Sequence, residues 1–101
     1  MSAATRQVWK FPLDVSDFQV VKMPAGARIL SVQVQGETPC LWALCDVNAF
    51  RTLRYVRILG TGHDAPRYGR LDYIGTFQLD GGKLVYHTFE VEEPFEVEEP
   101  S

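Results

Sequence analysis

Five of the seven arginines in the chain, Arg51, Arg54, Arg57, Arg67 and Arg70, fall within residues 51–70, opposed there by one acidic residue, Asp64. A guanidinium presents its donors as a planar fork that matches phosphate or carboxylate oxygens two at a time. Tyr55 lies between Arg51 and Arg57, and Tyr68 between Arg67 and Arg70, so flat rings accompany the charges. Gly60, Thr61, Gly62 and His63 fill the middle of the stretch, where turn amides can form an anion-binding nest. The candidate ligand-binding set is therefore Arg51, Tyr55, Arg57, Gly60, Thr61, Gly62, His63, Arg67, Tyr68 and Arg70. Arg57, Arg67 and Arg70 are expected to converge near Gly60–His63, with Tyr55 or Tyr68 as a flat wall. Such a site suits a nucleotide-like anion, a short nucleic-acid strand or an acidic protein surface. The competing reading is a solvated strand edge that carries charge against aggregation.

Other chemistry finds less support. His63-Asp64 resembles a general-base pair only by adjacency, and Ser16, Ser31, Cys40 and Cys45 have no nucleophile motif around them. Cys40 and Cys45 are five residues apart, which on a strand directs them to opposite faces. The chain has no second cysteine pair, and its two histidines are His63 and His87. Four clustered ligands for structural zinc are not expected. Gly60-Thr61-Gly62 lacks the third glycine of a dinucleotide fingerprint and the Gly-Lys-Ser/Thr of a P-loop. His87 alternates with Val85 and Phe89 and reads as a satisfied histidine at the core edge. No catalytic residue, metal ligand or cofactor is assigned.

The elements that must position the arginines read as strands. Apolar and aromatic runs at Gln7–Phe11, Phe18–Met23, Leu30–Gln35, Cys40–Val47, Arg51–Leu59, Leu71–Leu79 and Leu84–Phe89 alternate with Gly, Pro and Asp clusters. In Leu30–Gln35 the alternation predicts Leu30, Val32 and Val34 inward. Cys40–Val47 is apolar on both faces and should be a central strand, with Trp42 buried. Asp80-Gly81-Gly82 predicts a hairpin. The best helical stretch is Asp46–Leu53, where Asp46 could cap one turn through Ala49. The expected fold is all-β: an antiparallel β-sandwich or small barrel of about seven short strands. The Cys…Trp…Cys spacing of immunoglobulin domains is absent.

At 101 residues the chain has room for one core, and 46% hydrophobic residues is globular composition. No apolar run approaches the roughly 18 residues of a membrane helix, and the first ten residues carry no apolar secretory segment. The net charge of −3 hides an asymmetry. FEVEEP at Phe89–Pro94 is repeated at Phe95–Pro100, and six of the 13 acidic residues lie in Phe89–Ser101. Residues 1–88 hold ten basic against seven acidic residues, a net of +3. Residues 1–90 are thus expected to form the β domain and residues 91–101 a disordered acidic tail, either solubilising or an arm that covers the basic core.

The blocks WKFPL, ILSVQVQ, PCLWAL, RILGTGH and YIGTFQLDGGKLVYHTFE together resemble an uncharacterised family of small hypothetical proteins of tailed phages and prophages. The likeness runs from about Val8 to Glu90, while Cys45 and the repeat depart from it. The resemblance implies phage origin and a setting in the host bacterial cytoplasm or the virion, and brings no function with it. The expected function is a non-enzymatic accessory protein that acts by binding, as a host-defence antagonist that blocks a host protein or sequesters a nucleotide-like anion. A virion-associated capsid or tail accessory is the alternative, and a small enzyme the third reading. Open strand edges make a homo-oligomer, most simply a dimer, the expected assembly.

Overall fold

The computed structural model describes residues 5–92; the tail expected to be disordered lies largely outside the described residues. Seven strands follow one another: β1 (Arg6–Pro12), β2 (Phe18–Pro24), β3 (Arg28–Gln35), β4 (Thr38–Asp46), β5 (Arg51–Gly60), β6 (Leu71–Leu79) and β7 (Leu84–Val91). They form two antiparallel sheets, β1-β4-β3 and β2-β5-β7-β6, packed as a sandwich. Each of the seven apolar runs is a strand. Asp46–Leu53 is not helical: the amide of Asn48 donates to Asp46 Oδ1 at 3.0 Å and that of Ala49 to the Asp46 carbonyl at 3.1 Å. This Asx turn satisfies the local amides and delivers the chain into β5.

β4 is the middle strand of its sheet, as its apolar composition requires. Leu41, Ala43 and Cys45 are fully buried and meet Met23, Val56 and Ile58 of the other sheet in one core cluster. Trp42 differs from expectation. Period-two alternation puts it on the outer face of the three-stranded sheet, opposite Lys10 and Ser31, where it is only half-buried. A strand apolar on both sides does not reveal which side meets the second sheet. Leu30 also differs. The register of β3 shifts between Ile29 and Ser31, so Leu30 is the extra residue of a bulge and is exposed. Ile29 takes the inward place that simple alternation gives to Leu30.

A second bulge lies in β6 between Tyr73 and Gly75, on the strand that approaches β3. There the two sheets come so close that a Cβ on Gly75 would stand 2.8 Å from Val32 Cγ1. Any larger residue at this contact forces Val32 to shift. The hairpin at Asp80–Gly82 places three consecutive residues at positive φ, and the amide of Lys83 closes the turn on the Asp80 carbonyl at 3.1 Å. Gly81 and Gly82 make that path accessible without a Cβ penalty.

Two expectations test this core. Gly75→Ala should destabilise the domain by about 1–3 kcal/mol, because Val32 is stiff and enclosed; Val32→Ala in the same chain should recover part of the loss in thermal melts. Thr88 is fully buried and its hydroxyl has no hydrogen-bond partner. Thr88→Val keeps the shape and removes a desolvated hydroxyl, so it should raise stability by about 1 kcal/mol in chemical denaturation.

Candidate functional site

Topology explains the arginine-bearing loop. β5 and β6 both pair antiparallel with β7, so they run parallel to each other. Residues 61–70 must therefore carry the chain from the level of Tyr86, opposite Gly60, back to the level of Val91, opposite Leu71. The rise is about 17 Å at about 3.3 Å per residue. The inner side of β7 is filled by the core, so the crossover lies on the outer side of the four-stranded sheet. A groove of about 450 Å³ lined by Asp17, Arg57, Leu59, His63, Asp64 and Pro66 marks its passage beside β5.

At the head of this crossover, the Thr61 amide donates to the Val85 carbonyl at 3.1 Å. The His63 amide donates to the Gly60 carbonyl at 3.0 Å. The His63 ring packs so near Gly60 that a Cβ there would sit 3.0 Å from Cε1 and Nδ1. Gly60 thus makes room for the histidine, while Gly62 supplies a positive φ in the turn. His63 is an exposed turn residue whose ring folds back on the backbone.

The arginines divide among separate tasks. Arg51 donates from Nη1 to the Ala49 carbonyl at 2.7 Å and lies over the Trp9 ring, 5.1 Å from its centroid. Arg70 pairs with Asp72 at 2.7 Å on the surface. Arg67 and Tyr68 are exposed. Arg57 lies 5.6 Å from the Phe18 ring centroid, and Tyr55 stacks on the same ring at 6.1 Å. The structure thus joins Tyr55 and Arg57 on the sheet, with Gly60, Thr61 and His63 at one end, and directs Arg51 and Arg70 elsewhere.

Arg54 faces the core side. It forms a two-pronged pair with Glu90, with Nη2 donating to Oε1 at 3.0 Å, and its Nη1 donates to the Ala27 carbonyl at 2.8 Å. The hydrogen bond to Glu90 raises the Arg54 pKa further above its usual value, against the opposing effect of burial. Cys45 points inward beneath Trp9, and burial pushes its thiol pKa up, which disfavours the thiolate. Cys40 is buried on the other side of the same strand.

Residues distant in sequence complete the surface. Phe18 stands opposite Arg57, Arg57 opposite Phe89, and Phe89 opposite Tyr73, a single row crossing all four strands on the outer face. Tyr73 meets Phe89 edge-on at 5.7 Å. The adjacent row is Val20, Tyr55, Val91 and Leu71. Val20 is 48%, Leu53 53% and Tyr73 62% exposed. Beside the rows runs a polar chain in which His87 joins Thr61 Oγ1, 2.7 Å from Nε2, to Thr76 Oγ1, 3.0 Å from Nδ1. Tyr73 continues it with its hydroxyl 2.6 Å from Thr76 Oγ1. Phe18, Phe89, Tyr73 and Thr76 were invisible as site residues in the sequence because only the strand register makes them neighbours. His87 is satisfied through both ring nitrogens, on the outer face of its strand. Among the described residues, no group of three or more His, Cys, Asp or Glu is placed to hold a metal ion.

A family model described as a domain of unknown function, DUF7352, matches residues 4–99. The chain belongs to that family. No curated protein and no solved structure matches it significantly. The DUF7352 match runs beyond the last described residue and takes in Phe95–Glu99 of the second hexapeptide.

The Arg54–Glu90 pair is about four-fifths enclosed, so removing one charge strands the other. Glu90→Gln should cost about 2 kcal/mol, less than the about 3–5 kcal/mol typical of a fully buried pair, measured by urea unfolding. An unchanged unfolding midpoint would show that water screens the pair.

Proposed function

We propose that this DUF7352 domain is a non-enzymatic, phage-encoded accessory protein that captures a host protein on the outer face of its four-stranded sheet. The observation that supports the reading is the row Phe18, Arg57, Phe89 and Tyr73, with the apolar row Val20, Tyr55, Val91 and Leu71 beside it. Aromatic and arginine side chains dominate the centres of protein interfaces, where they bury much area at small conformational cost. A row that spans four strands beside the crossover, exposed at Tyr73 and half-buried at Phe18, Arg57 and Phe89, fits a macromolecular surface better than an enclosed metabolite. Arg57 supplies the charge and direction, and the rings supply the contact area. In the host cytoplasm such a protein would act by occupying a site on its target, as an anti-defence protein does.

The test compares capture from a bacterial lysate by the tagged full chain and by Arg57→Ala and Tyr73→Ala chains. Each substitution should weaken capture of the same partner about tenfold, the loss expected on truncating a central interface residue. Equal capture by all three chains would remove the outer face from the interaction. A parallel titration with mononucleotides and short single strands decides between partners. Submillimolar binding that is lost on Arg57→Ala would assign the row to base stacking and phosphate contact instead.

A further inference from the structure

The edges of the two sheets are not alike. The edge strands are β1 and β3 of one sheet and β2 and β6 of the other. β3 and β6 each carry a bulge and close on one another where Gly75 meets Val32. A bulged and covered edge is a poor template for another strand. β1 and β2 are the two remaining edges, and each pairs with its neighbour without a register shift.

The ladder bonds fix which backbone groups face away from the sheet. The Val47 amide donates to the Thr5 carbonyl at 2.9 Å and the Leu13 amide to the Pro39 carbonyl at 2.9 Å. Odd-numbered residues of β1 therefore bond β4, and Arg6, Val8, Lys10 and Pro12 turn their backbone groups to the open edge. In β2 the Ile58 amide donates to the Asp17 carbonyl at 3.4 Å, and the Ala25 amide to the Phe50 carbonyl at 2.7 Å. Odd-numbered residues again bond the neighbour, and Phe18, Val20 and Lys22 face the edge. Among the described residues, no loop amide or carbonyl bonds Val20 or Lys22 from the edge side. We propose that the β2 edge pairs with the same edge of a second copy of this chain, antiparallel about a two-fold axis at Val20.

This register is self-complementary. Val20 meets Val20 of the second copy, and Phe18 of each copy meets Lys22 of the other, an isologous contact. Each of these pairs exchanges amide–carbonyl bonds in both directions. The Phe18 carbonyl accepts from Ser16 Oγ at 3.4 Å and keeps a second lone pair for the contact. Val20, 48% exposed in the single chain, is covered by its counterpart. The Lys22 ammonium comes beside the Phe18 ring, which favours a cation, and no like charges are opposed. Sliding by two residues, so that Val20 meets Lys22, brings Phe18 opposite Pro24, which has no amide to give. β1 offers no equivalent. Centring its edge on Val8 sets Arg6 against Lys10 twice, and sliding until Val8 meets Lys10 brings Arg6 to Pro12. Charge and proline guard β1 and leave β2 open. The pairing joins two four-stranded sheets, and the row Val20, Tyr55, Val91 and Leu71 runs unbroken through the axis. It stands independently of what the outer face binds.

Sedimentation and native mass spectrometry of the full chain read the assembly, and substitutions locate it. The unaltered chain should be dimeric at high micromolar concentration. Val20→Pro removes an amide that β5 does not use, and Val20→Lys sets like charges opposite each other across the axis. Both should give a monomer with an unchanged circular dichroism spectrum. Val8→Lys, the same change at an exposed position of β1, should leave the dimer intact. Under oxidation Val20→Cys should cross-link two copies, because paired Cα atoms stand about 5.5 Å apart, within disulfide reach. Lys22→Cys should not, since the two Lys22 positions lie about 13 Å apart along the strands. Cys40 and Cys45 are buried and do not compete. An unaltered chain that stays monomeric would overturn the proposal. So would a dimer that survives both Val20→Pro and Val20→Lys, a dimer lost with Val8→Lys, or a cross-link formed by Lys22→Cys in preference to Val20→Cys.

Discussion

Burial of one side of β4 is the constraint on which the rest depends. Leu41, Ala43 and Cys45 leave water completely, and Met23 and Val56 meet them from the other sheet with no exposure of their own. Removing apolar surface from water contributes about 25 cal/mol per Å², so this cluster of enclosed side chains dominates the attraction between the sheets. Because side chains alternate along a strand, fixing the inward set also fixes the outward one. Val56 and Ile58 inside place Tyr55 and Arg57 outside; Thr88 inside places His87 and Phe89 outside. The outward row is thus a consequence of the core rather than a separate feature.

The margins of the sandwich show how polar groups are accommodated around that core. Arg54 and Glu90 occupy inward positions where the apolar filling ends. They neutralise each other, and the spare guanidinium donor satisfies the Ala27 carbonyl. A groove of about 340 Å³ opens beside them, between the bulge at Leu30 and the bulge at Ile74. The bulges add twist on the two facing strands, and Gly75 lets those strands touch. This end is held by charge pairing and close backbone approach, while the centre is held by hydrophobic contact.

Much of this was legible in the residues. Seven alternating runs gave seven strands, and Asp80-Gly81-Gly82 gave the hairpin. Tyr55 and Arg57 were recognisable as a pair on one strand face. Leu30 was misplaced because a bulge inserts one residue without a compositional mark. Trp42 was misplaced because a strand apolar on both sides carries no sign of which side is covered. The arginines looked like one cluster because they are close in sequence, yet Arg51 and Arg57 are about 20 Å apart along an extended strand.

The sequence by itself determined the strand content, the central place of β4, the charge asymmetry between body and tail, and the repeated hexapeptide. These follow from local periodicity and composition, which each segment carries alone. Only the tertiary structure decided that β7 lies between β5 and β6, and from that came the crossover of residues 61–70 and the row from Phe18 to Tyr73. Strand order and register arise from contacts between residues as far apart in sequence as Phe18 and Arg57. Local alternation is compatible with many such pairings, and the burial of one shared core selects among them.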